Sequence, residues 1–106
     1  MVPPKGSVAV IFVARRNGVD EEGYANAAAA MDRAAAAAPG YLGIDSARGP
    51  DGIGITVSYW ADDAAARAWK ADPAHAAIRE QGRGRWYNWY DLTVAEVTRG
   101  YSWNGG

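Results

Sequence analysis

The chain carries a single histidine, His75, set in a run of large rings. Tyr59, Trp60 and Trp69 precede it, and Trp86, Tyr87, Trp89, Tyr90, Tyr101 and Trp103 follow. Nine of the twelve aromatic residues lie in this second half. Imidazole is the side chain best suited to taking a proton near neutral pH, and flat rings either pack a core or wall a pocket for a flat ligand. His75 is therefore a candidate base for a phenol-like substrate; the plainer alternative is a surface histidine beside a helix start. Arg79 lies four residues on, where a helix presents both on one face. It could bind a phenolate or carboxylate, or simply be solvated. Trp69, Trp86, Tyr90 and Tyr59 are candidates to hold a substrate ring, by stacking or by a hydrogen bond to a substrate oxygen. Core packing is the alternative use for each. Asn88, placed on one strand face with Trp86 and Tyr90, is a further polar candidate.

Other chemistries lack the residues to carry them. There is no cysteine, so no thiolate nucleophile, disulfide or Cys-ligated metal site, which fits a reducing compartment. One histidine and no cysteine do not make a metal set, and the carboxylates Asp62 and Asp63 read as helix caps. Gly82-Arg83-Gly84 follows a helix rather than opening one, so it is no dinucleotide loop. We therefore expect no cofactor. Lys and Arg number 11 against 12 Asp and Glu, a net charge of −1, which argues against a nucleic-acid partner. The cluster Arg79, Arg83 and Arg85 is diluted by Glu80 and reads as a solvated helix end. No apolar run approaches the ~20 residues of a membrane span, and the start lacks the apolar core of a signal peptide. A soluble, cytoplasmic protein without a membrane partner is expected.

These candidates need elements to position them, and the 106 residues suffice for one domain with a core over about 7–103. Ser7 to Arg16 is apolar without a break from Val8 to Val13, which suits a strand buried on both faces. Asn17-Gly18 turns the chain. Asp20 caps a helix to about Ala38, with Glu21 and Glu22 in its first turn. Tyr24, Ala27, Ala28, Met31, Ala34, Ala35 and Ala38 form its buried stripe, leaving Asn26, Asp32 and Arg33 on the wet side. Tyr41 to Arg48 and Ile53 to Trp60 read as a hairpin about Gly49-Pro50-Asp51-Gly52. In the second of these strands Ile53, Ile55, Val57 and Tyr59 share one face and Gly54, Thr56, Ser58 and Trp60 the other. Asp62 caps a short helix to about Lys70, and Asp72-Pro73 starts another to about Gln81, where Gly82 and Gly84 should end it. Trp86 to about Thr98 reads as the last strand, with Tyr87 and Trp89 on one face and Trp86, Asn88 and Tyr90 on the other.

The order β-α-β-β-α(α)-β predicts an α+β, ferredoxin-like fold with helices on one face of a four-stranded antiparallel sheet. The first strand is apolar on both faces and the last carries rings on both. Something must cover the open face, and a second copy of the same sheet is the simplest candidate.

At this level of detail the residues resemble a known family. Ser58-Tyr59-Trp60 leading into Asp62 to Lys70, then Asp72-Pro73-Ala74-His75, Gly82 to Tyr87 and Val94 to Tyr101, together are similar to the antibiotic biosynthesis monooxygenase (ABM) domain family of the dimeric α+β barrel superfamily. Pro39-Gly40-Tyr41-Leu42-Gly43 resembles the family's helix-to-strand join. The resemblance implies a homodimer whose two sheets close into a barrel, each subunit holding a pocket between sheet and helices, with Tyr101 and Trp103 in a tail that can reach the partner. Members include cofactor-independent oxygenases of polyketide aromatics, haem-degrading enzymes and proteins of unassigned role. The haem-degrading pattern has an Asn on the first strand and a His ten positions after a helical Trp. Here the first strand has no Asn and the tenth position after Trp69 is Arg79, which argues against haem breakdown. The resemblance thus points to a cofactor-independent monooxygenase acting on a small phenol- or quinol-like aromatic. The alternatives are a non-catalytic binder of a hydrophobic small molecule, a stress-related protein of the family, or rings that serve dimer packing alone.

Overall fold

The computed structural model describes residues 2–105. Its elements are β1 (Val8–Arg16), α1 (Glu21–Ala37), β2 (Tyr41–Arg48), β3 (Ile53–Trp60), α2 (Asp63–Ala71), α3 (Pro73–Arg85) and β4 (Tyr87–Glu96). The strands form one antiparallel sheet in the order β2-β3-β1-β4. This is the ferredoxin-like α+β arrangement that the element order predicts.

The three helix starts follow from local chemistry. An Asp at each N-cap accepts a hydrogen bond from a backbone N–H of the first turn, which would otherwise lack a partner. Gly23 donates to Asp20 (3.1 Å), Ala65 to Asp62 (2.8 Å) and His75 to Asp72 (3.0 Å). Pro73 occupies the first turn of α3, where its missing N–H costs nothing.

Two features differ from the expectation, and both have tertiary causes. Helix α3 does not stop at Gly82 and Gly84 but runs to Arg85. Its end is held by Asn17 from the turn after β1. The Asn17 side-chain amide donates to the Arg85 carbonyl (2.7 Å), and the Asn17 backbone N–H donates to the Trp86 carbonyl (2.9 Å). Carbonyls that a helix end leaves open are thereby satisfied. Gly82 is there for space: a Cβ would stand 2.7 Å from the Tyr87 ring. Consequently Trp86 belongs to the cap of α3, and β4 begins only at Tyr87. Within β4 the register slips: Arg15 faces Trp89 but Arg16 faces Tyr87. Asn88 is the extra residue of this bulge, and it inverts the alternation beyond it. Tyr87 therefore joins Tyr90 on one face instead of Trp89.

All three helices lie on the face that carries Val8, Val10 and Phe12. The core there is built around Trp60, which is fully buried among Val8, Ala35, Ala66 and Trp69. Its indole N–H donates to Ser58 Oγ (3.0 Å), so the buried donor is paired. The alanines of α1 let that helix approach the sheet closely. The opposite face, with Ile11, Val13, Ile55, Val57, Tyr59 and Trp89, carries no helix. Ile55 and Trp89 are 47% and 42% exposed there. Tyr101 and Trp103, in the tail, are exposed.

Candidate functional site

Between α1, α3 and the helix-covered face lies a cavity of about 200 Å³. Its walls are mostly rings and aliphatic side chains: Phe12 from β1, Tyr24 and Met31 from α1, Trp69 from α2, Ile78 from α3 and Tyr90 from β4. The polar groups are few, as in small-molecule sites generally. Of the residues singled out from sequence, His75, Arg79, Trp69, Trp86 and Tyr90 all line this cavity. Tyr59 does not. It pairs with Ala9 and Gly43 on the helix-free face, the parity that its alternation with Ile55 and Val57 dictates. Asn88, the bulged residue, is exposed and also lies outside the cavity.

His75 is half-buried and held from two sides. Its ring stacks on Trp69 with centroids 4.3 Å apart and planes 21° from parallel, and Trp69 in turn stacks on the core residue Trp60 at 5.7 Å. Its Nδ1 lies 2.9 Å from the Trp69 carbonyl oxygen. A carbonyl only accepts, so Nδ1 must carry the hydrogen. Burial pushes the imidazole below its ordinary pKa of 6.5, and the Arg79 guanidinium pushes the same way. The Trp69 carbonyl and Asp72 oppose them, but burial prevails. At neutral pH the ring is therefore uncharged, with the lone pair on Nε2, which makes no hydrogen bond among the described residues. A neutral imidazole oriented by its other nitrogen is the form a general base requires.

Two further donors on the cavity wall are buried without partners: Arg79 Nε and Trp86 Nε1. Arg79 spends another guanidinium N–H on the Lys70 carbonyl (3.3 Å). Unmade hydrogen bonds to buried donors are costly, so these two atoms are where an acceptor on a ligand would gain most. Tyr90 is differently engaged, its hydroxyl accepting from Arg83 Nε.

Three wall residues with titratable side chains, Tyr24, Asp32 and Tyr87, are not among the sequence candidates. Periodicity puts Tyr24 on the buried stripe of α1, but nothing in that stripe marks it as cavity-facing. Asp32 falls on the wet side, and it is exposed, yet it also borders the cavity mouth. Strict alternation puts Tyr87 on the wrong face, because the bulge at Asn88 leaves no signature in a period of two. Burial, and then the neighbouring Tyr24 phenol, raise the pKa of Tyr87, so its hydroxyl stays protonated. Among the described residues no group of three or more His, Cys, Asp or Glu could hold a metal ion, and no helix is long and apolar enough to cross a membrane.

The family model described as antibiotic biosynthesis monooxygenase matches residues 8–81, and the chain belongs to that family. It is 44% identical over 91 residues to the uncharacterized protein YqjZ of Bacillus subtilis, an alignment spanning 86% of this chain and 79% of the relative. Among solved structures it shares its fold with Rv0793 from Mycobacterium tuberculosis. The TM-score is 0.79 at 18% identity, over 91% of this chain and 99% of that one. It also shares its fold with SnoaB, a cofactor-independent oxygenase from Streptomyces nogalater, at a TM-score of 0.76 and 16% identity, over 90% and 96% of the two chains.

Proposed function

We propose that this protein is a cofactor-independent monooxygenase of a small, flat phenol- or quinol-like substrate. The observation that carries the proposal is the setting of His75: stacked on Trp69 in an aromatic cavity, Nδ1 held by the Trp69 carbonyl and Nε2 left as an acceptor, with burial lowering its pKa. His75 takes a proton from the substrate. The resulting anion gives one electron to O₂, and the two radicals combine to a peroxide on carbon. His75 returns the proton to the peroxide anion, and loss of water, which also takes the hydrogen remaining on that carbon, leaves a carbonyl; one oxygen atom is in the product and the other in water, with the substrate supplying all the electrons. Trp69, Trp86 and Tyr90 hold the ring, and Arg79, with its unpartnered Nε, stabilises developing oxyanion charge. The SnoaB fold, hosting an oxygenase that needs no cofactor, supports this reading, as does family membership.

The test is oxygen uptake with anthrone-like and hydroquinone-like substrates, comparing wild type with His75→Ala. Loss of a general base costs on the order of 10²-fold or more in rate, and an equal rate in the variant would remove His75 from this role. The buried, unpartnered donors of Arg79 and Trp86 favour a second reading, in which the cavity binds an acceptor-bearing aromatic without turnover. Tryptophan quenching by such ligands with no oxygen consumed would support it.

The working unit in this proposal is a homodimer, with Ile55, Val57, Tyr59 and Trp89 covered by the same face of a second copy. The support is Ile55 and Trp89, large apolar side chains 47% and 42% exposed on a sheet face that carries no helix. Light scattering at micromolar concentration should return twice the 11.3 kDa of one chain.

A further inference from the structure

Strands β1 and β2 each end in an arginine, and both guanidinium groups gather on one tyrosine of α1. Arg16 Cζ stands 3.6 Å from the centre of the Tyr24 ring and Arg48 Cζ 4.9 Å from it. An Arg48 guanidinium N–H also donates to the Tyr24 hydroxyl (2.7 Å). Two cations over one ring repel each other, and their charges are only partly compensated. Arg16 is paired with Glu21 (2.6 Å), its side chain is only 7% exposed, and its Nε is buried without a partner. Arg48 has no ion pair among the described residues. One positive charge is left over.

These arginines border a second chamber, of about 310 Å³. Ser46 and Thr56 add hydroxyls to its wall, and Gly54, which faces Arg48 across the β2–β3 ladder, adds no side chain to fill it. Phe12, Tyr24, Thr56 and Tyr87 line this chamber and the aromatic cavity alike. The two spaces therefore lie side by side, His75 lining one and the arginines the other.

We propose that the Arg16–Arg48 chamber takes the carboxylate of an aromatic acid whose ring lies in the adjoining cavity. A carboxylate matches a guanidinium fork in plane and spacing. Its single charge equals the chamber's excess, whereas a phosphate dianion would exceed it. The inference rests on the reading that the aromatic cavity holds a flat ligand, and it adds that the ligand is acidic at the end remote from His75.

Calorimetric titration of the full chain with 6-hydroxy-2-naphthoate and with its methyl ester tests this. The ester cannot make the charge-assisted hydrogen bond, and it should bind about 10-fold more weakly than the acid. Arg48→Gln should weaken the acid by a similar factor and leave the ester unchanged, while Arg48→Lys should keep part of the preference. His75→Ala should keep all of it. Equal affinity of wild type for acid and ester, an acid preference that survives Arg48→Gln, or no binding of the acid at millimolar concentration would each overturn the proposal. An intact acid preference with no oxygen uptake would instead remove the oxygenase reading and leave the chamber standing.

Discussion

The two faces of the sheet are made by the same strands, and they are finished differently. On the helix-covered face, rings interlock: Tyr41 meets Trp60 edge-on at 5.7 Å, Trp60 stacks on Trp69, and Trp69 stacks on His75. On the other face, the side chains of Ile55 and Trp89 remain nearly half exposed. Leu92 and Val94, on the edge strand β4, are exposed too, although they lie on the helix side. Apolar content alone thus does not say which face is core. What separates them is whether α1 to α3 have alanines and rings placed to meet the strand, and that is true of one face only. The finished face holds the candidate chemistry and the bare face holds the candidate interface.

The comparison breaks first at Trp60. Trp60→Ala removes a ring that is fully buried, and such truncations cost about 3–5 kcal/mol. Ile55→Ala, on the bare face, should cost far less in a monomer. Urea unfolding of both variants measures the contrast: an Ile55→Ala loss that is small in dilute protein and grows with concentration fits the proposed dimer, and a loss equal to that of Trp60→Ala at every concentration would mean that both faces are packed alike within one chain.

A somewhat smaller effect is expected at His75. His75→Ala should lower oxygen uptake by on the order of 10²-fold, about 2.7 kcal/mol in the barrier, while leaving the melting temperature within a few degrees. A melting temperature that fell as far as in Trp60→Ala would make His75 part of the packing instead.

On the bare face, Ile55→Lys places a charge where a second sheet would lie. Light scattering should move from the dimer mass to 11.3 kDa, with circular dichroism unchanged. A wild type and a variant of the same mass would show that this face is not the interface.

The smallest effect is a pH dependence. The folded-state pKa of His75 lies below 6.5, so on falling pH the unfolded chain binds a proton before the folded one does. Stability is then complete above pH 6.5 and declines as pH falls through the window below it. Activity that needs the neutral ring should fall in the same window. Denaturant unfolding at stepped pH should show this slope in wild type and lose it in His75→Asn; a slope of opposite sign would mean that the carbonyl and Asp72 outweigh burial.

Much of this fold is legible residue by residue. Asp20, Asp62 and Asp72 mark helix starts because capping is local, and the β2–β3 hairpin follows from alternation and its turn residues. Spacing alone places His75 and Arg79 on one helix face. The errors lie where distant segments decide. The end of α3 depends on Asn17, which is far away in sequence, and the face of Tyr87 depends on a bulge against Arg15 and Arg16. Tyr59 shows the converse: its parity with Ile55 and Val57 assigns it to the face away from Trp60, although its ring chemistry suggests a pocket.

By itself, then, the sequence determined the element order, the three caps and the placing of His75 and Arg79 on one helix face, since each depends on neighbours within a turn or two of helix or strand; the absence of a thiol is composition alone. Only the tertiary structure decided that Tyr24 and Tyr87 wall a cavity, that Arg16 and Arg48 converge on one ring, and that burial lowers the pKa of the His75 imidazole. Those outcomes depend on burial and on charges brought together across the sheet, and neither exists in the chain until it has folded.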